Sequence, residues 1–105
     1  MAGFIQIITT TSDKKNAERI ADTLIEKELA GCVQIIGPVQ STFKWRGKLK
    51  KTKEWICFIK TKDIHFSKIE NEMKKIHKYS IPELLSFKVN KGNKTYLKWL
   101  EDSVR

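Results

Sequence analysis

The stretch Ile76-His77-Lys78-Tyr79-Ser80-Ile81-Pro82-Glu83 gathers an imidazole, a phenol and a carboxylate around a forced chain reversal. Pro82 restricts Ile81 to an extended or turn conformation, so a ligand site or an interface can be built there. His77 falls near the end of a helical pattern, where the helix dipole favours imidazolium while Lys74 and Lys78 oppose it. Its charge is therefore open. Neutral, it can bind a soft or borderline divalent metal. The ligands on offer are His77 and Glu83, with Cys32 brought near by folding. The bland reading of a lone histidine is a structural or surface role.

Glu83 is a second metal ligand, an ion-pair partner for a lysine such as Lys60, or an interface acceptor. Tyr79 and Trp45 either line a pocket or anchor packing at a turn and a hairpin end. Glu54 and Lys60 lie six residues apart on a strand pattern and so share a face. Facing a cleft, they suit an acid-bearing ligand; facing water, they form a solvated ladder. There is no nucleophile elbow, His-Glu-x-x-His pair or Gly-rich phosphate loop, and no enzyme is expected. Cys32 and Cys57 stand without a Cys-x-x-Cys partner, so neither a zinc cluster nor a disulfide framework is indicated and both read as small buried hydrophobes.

The elements that must position these groups follow from hydrophobic period. Phe4 to Thr10 is a β-branched strand, and Ser12-Asp13 offers N-cap oxygens to a helix carrying Ala17, Ile20, Ala21, Leu24, Ile25 and Leu29 on one face. Gly31 sits where a helix C-terminus takes positive φ. Cys32 to Trp45 is a second strand with a bend at Gly37-Pro38, and Arg46-Gly47 turns the chain into a third, Lys48 to Thr61. Asp63 to Lys78 is a second covering helix, Leu84 to Val89 a fourth strand, and Thr95 to Val104 a short helix with Tyr96, Leu97, Leu100 and Val104 on one face. The fold class is α+β: a ferredoxin-like β-α-β-β-α-β sandwich with a C-terminal helix, one domain over residues 1–105.

Its hairpin is too long for the domain. Fourteen residues at ~3.3 Å each span about 46 Å, against a diameter of ~34 Å for a chain of this size. The overhang exposes Phe43, Trp45 and Trp55 on a free edge, and pairing with another subunit covers it. A homo-oligomer is expected.

Composition narrows the partners. With 40% hydrophobic and 31% charged residues the chain is globular, and no apolar run approaches the ~20 residues of a membrane span. Met1-Ala2-Gly3-Phe4 does not open a secretory signal, which points to the cytoplasm. The net charge of +9 invites a nucleic-acid reading, but only Arg19, Arg46 and Arg105 are arginines, and base readout favours arginine over lysine. Nucleic acid is not the expected partner. Lys44, Arg46, Lys48, Lys50, Lys51 and Lys53 still form a basic hairpin tip or anion-facing edge.

Taken together, Leu29-Ala30-Gly31-Cys32-Val33, Ser41 to Lys48, Ile59-Lys60-Thr61, His77 to Glu83 and Tyr96-Leu97-Lys98-Trp99-Leu100 make the chain resemble the CutA family of divalent-cation-tolerance proteins. The resemblance spans nearly the whole chain. It implies a tight homotrimer with hairpins paired between subunits, a cytoplasmic location, a link to tolerance of copper and other divalent metals, PII-like intersubunit clefts for a metal or small ligand, and no enzymatic activity. Members with a cysteine in the first strand and two adjacent histidines find Thr9 and Ile76 at the first two of those positions here, so only His77 is kept, and the resemblance implies that with Cys32 or Glu83 it holds copper or zinc weakly.

Overall fold

The computed structural model describes residues 3–105, so Met1 and Ala2 of the N-terminal reading lie outside the described residues. The chain runs β1 (Phe4–Thr11), α1 (Lys14–Glu26), β2 (Cys32–Trp45), β3 (Lys48–Lys62), a 3-10 turn (Asp63–His65), α2 (Phe66–Ile76), β4 (Leu85–Lys88) and α3 (Lys94–Ser103). The four strands form one antiparallel sheet in the order β2-β3-β1-β4. This is the ferredoxin-like sandwich with its added C-terminal helix.

Strand alternation separates the two faces of the sheet. Ile5, Ile7 and Thr9 of β1 and Cys57, Ile59 and Thr61 of β3 are buried, and they meet Ala17, Ile20 and Leu24 of α1 and Ile69 and Met73 of α2. The opposite face carries rows set by the register: Leu85, Ile8, Phe58 and Gln34 in one, Thr10, Ile56 and Ile36 in the next. No helix covers it. Ile36 and Leu85 are each 52% exposed and Phe87 is 49% exposed, an apolar sheet face that in a stable fold is packed against another layer.

The hairpin overhangs as expected, giving the molecule a long axis of 45 Å against 26 and 22 Å. A bulge breaks the β2–β3 register between Ile36 and Val39, where Gly37 and Pro38 both face Trp55. A Cβ on Gly37 would lie 2.4 Å from the Trp55 ring, so the ring can close over the bulge only with glycine there.

Three sequence expectations are corrected. The positive φ at the end of α1 belongs to Glu28, at 56°, not to Gly31. Gly31 is instead fixed by contact, because a Cβ there would lie 2.4 Å from Leu100 Cδ1. Replacing Gly31 by Val should therefore cost about 1–3 kcal/mol through overpacking of α3, read as a lower urea midpoint at unchanged slope. α2 stops at Ile76, two residues early, because the His77 ring turns back onto β1. Cys32 is half-buried at the sheet edge rather than in the core, whereas Cys57 is fully buried and its thiol is pushed up to about 11 by desolvation.

Candidate functional site

The loop after α2 is held at its start by a buried amide that the sequence reading passed over. Asn16, on the first turn of α1, donates from Nδ2 to the Ile76 carbonyl at 2.8 Å, while its Oδ1 accepts the Thr11 hydroxyl at 2.8 Å and the Lys78 N–H at 3.3 Å. The Lys78 ammonium adds an ion pair to Asp13 at 2.7 Å. Asp13 is also the N-cap of α1, accepting from Lys15 N–H at 2.8 Å. Helix starts and helix end are thereby tied together.

His77 spends both ring nitrogens on the fold. Nε2 lies 2.9 Å from the Thr10 carbonyl and 3.1 Å from the Thr9 hydroxyl, and Nδ1 accepts the Tyr79 N–H at 3.0 Å. These partners assign a neutral ring with its proton on Nε2. Burial, the leading cause, holds its pKa below the ordinary 6.5 against the opposing pull of the Thr10 carbonyl and Glu54. The lone pair a metal would need is engaged by Tyr79. Thr9, which the resemblance sets against a cysteine, lies beside His77 and presents a hydroxyl.

One chain does not bring Cys32 to His77. Cys32 shares a row with Lys60, Gln6 and Phe87 on the sheet face opposite α1 and α2, whereas His77 docks against Thr9 on the side those helices cover. They are also four residues apart along β1, roughly 13 Å. Among the described residues no group of three or more His, Cys, Asp or Glu side chains is placed to hold a metal ion.

The other predicted residues do gather. Trp45, Glu54, Tyr79 and Glu83 line one cleft of about 910 Å³ between the hairpin arm and the loop. Lys60 is not among them. It lies six residues, roughly 20 Å, along β3 from Glu54 and sits 6.0 Å from the Tyr96 ring, so the expected Glu54–Lys60 pair does not face a common cavity. Its place is taken by Lys50, Lys51 and Lys78, with Phe43 and the Ser12 and Thr42 hydroxyls. None of these could be assigned from sequence spacing, since arm and loop are about thirty residues apart in the chain.

Glu54 is the buried member, 6% exposed, and its Oε2 accepts the Tyr79 hydroxyl at 2.7 Å. Burial first, and then this bond, hold the phenol above its ordinary 10, keeping it a donor. The Tyr79 ring tilts against His77 with centroids 5.4 Å apart. The loop thus forms a partition: Lys78, Tyr79 and Ser80 line both this cleft and a smaller groove of about 410 Å³ that they share with His77, Glu70, Met73 and Pro82, while Glu83 lines the arm cleft alone.

Sandwich, overhanging arm and partition loop define a ferredoxin-like domain with an arm-walled cleft. The family model described as CutA1 divalent ion tolerance protein matches residues 5–103, and the chain belongs to that family. It is 36% identical over 104 residues to a divalent-cation tolerance protein CutA of Archaeoglobus fulgidus, covering 99% of both chains. The crystal structure of CutA1 from Oryza sativa superposes with a TM-score of 0.96 at 31% identity, covering 99% of this chain and 95% of that one. The divalent cation tolerance protein from Thermus thermophilus gives 0.94 at 29% identity, covering 97% and 99%.

Proposed function

We propose that this protein is a non-enzymatic homotrimer acting in divalent-metal tolerance, copper included, whose clefts between subunits take a small ligand or a metal ion. The observation that carries the reading is the position of the cleft: its outer wall is an arm that projects beyond its own domain, next to an uncovered apolar sheet face. Other copies of the chain complete both. The two free thiols suit a reducing compartment, and we place the protein in the cytoplasm, although the Archaeoglobus fulgidus relative's structure is described as periplasmic. Fractionation of cells settles that point.

For the metal, His77 has to release the Tyr79 N–H before it can bind, and Cys32 or Glu83 has to come from a neighbouring copy or a moved loop. Copper or zinc held this way is weak. Calorimetry with each metal on the wild type and on His77→Ala should show low-affinity binding that the substitution reduces. Identical titrations remove His77 from the metal role.

A second reading, a PII-like signalling module with no physiological metal, is favoured by the charges of the cleft. Acids and lysines line it together without pairing to one another.

A further inference from the structure

Glu54 is a carboxylate 94% removed from water by its 6% exposure, with the neutral Tyr79 hydroxyl as its hydrogen-bond partner. Among the described residues neither Glu54 nor Glu83 forms an ion pair. Lys50, on the arm and on the same strand face as Glu54, is likewise without a carboxylate partner, yet it lines the same cleft of about 910 Å³ as the two acids. Buried charge is costly unless paired. Charges of opposite sign that share a cavity without pairing leave room for a molecule that satisfies both.

We propose that the cleft binds a small zwitterion of amino-acid type. Its ammonium is taken by Glu54 and Glu83 beside the Tyr79 ring, and its carboxylate by Lys50. The lysine excludes a simple cation and the acids exclude a simple anion, so selectivity comes from the requirement for both charges. The volume falls within the range of small-molecule sites. The inference rests on the cleft reading given above and names its ligand class.

The test is calorimetry of the assembled protein with each of the twenty amino acids as probe, and with acetate and methylamine as single-charge probes. At least one amino acid should bind with a Kd below ~1 mM, and neither single-charge probe should. Glu54→Gln keeps an acceptor for Tyr79 and removes the charge, so affinity should fall by ~10-fold or more. Because a buried substitution can disturb folding, the exposed Lys50→Met provides a second arm: it should weaken amino-acid binding comparably, whereas Lys51→Met, on the opposite face of the strand, should not.

Binding by no amino acid overturns the proposal, as does equal affinity in Glu54→Gln or in Lys50→Met. Release of subunits by Glu54→Gln with amino-acid affinity otherwise unchanged also overturns it, because the carboxylate would then be meeting a cation of the neighbouring copy. A wild type that is multimeric and binds copper or zinc but no amino acid defeats this inference alone; a monomeric wild type defeats the function proposed above.

Discussion

A chain in which residues 43–50 are replaced by an Asn-Gly turn should lose its assembly at protein concentrations where the wild type remains whole. Thr42 and Lys51 are register partners, so the turn joins positions that already face each other and a two-residue connection fits the strand twist. What is removed makes little contact with its own domain. Phe43 and Trp45 are 43% and 47% exposed, and Arg46 stacks over Trp45 at 5.9 Å with nothing beyond it. Burying two such rings against a neighbour contributes about 2 kcal/mol each, about 4 kcal/mol per arm and roughly three decades in association constant. Native mass measurement through a dilution series should show the wild type at three times the 12.2 kDa chain mass and the shortened chain at one. If the shortened chain holds the wild-type mass to the same dilution, the arm is not a subunit contact and the uncovered sheet face alone joins the copies.

That sheet face marks the limit of what the sequence could say. The strands were legible because Ile5, Ile7, Ile56 and Ile59 lie in dense β-branched runs, and the helices because their apolar residues recur at helical spacing. The overhang was legible because it is a matter of length. Alternation, however, shows only that each strand has two faces, and Ile8, Ile36, Phe58 and Phe87 read as ordinary strand hydrophobes until α1 and α2 are seen to cover only the other side. The site was legible to the same degree. Trp45, Glu54, Tyr79 and Glu83 meet, but Lys60 could not be told from Lys50 or Lys51 without knowing how far the strand carries it. Asn16 gave no signal at all, being a polar residue early in a helix whose partners, Ile76 and Lys78, lie sixty residues on.

His77 shows how a residue that looks like chemistry can be structure, and its removal should have the second large effect. In His77→Ala the Thr10 carbonyl, the Thr9 hydroxyl and the Tyr79 N–H lose their ring partner together. At about 0.5–1.5 kcal/mol for each bond, the loss is about 1.5–4.5 kcal/mol near pH 7, measured by urea unfolding at fixed protein concentration so that assembly does not shift the comparison. The pH dependence separates this role from any other. Burial makes the ring harder to protonate in the fold than in the unfolded chain, so the unfolded state binds the extra proton. The ring's contribution is full above the ordinary 6.5 and declines as pH falls through that value toward the lower folded one. The carboxyls of Asp13 and Glu72 are held down mainly by hydrogen bonds from Lys78 and Lys27, and their losses begin only as pH falls below the ordinary 3.8 and 4.5. Between pH 7 and 5, therefore, wild-type stability should slope downward and His77→Ala should be lower but flatter. A variant that keeps the wild-type slope in this window would show that the ring is not the group being protonated, and the neutral, doubly bonded imidazole would have to be given up.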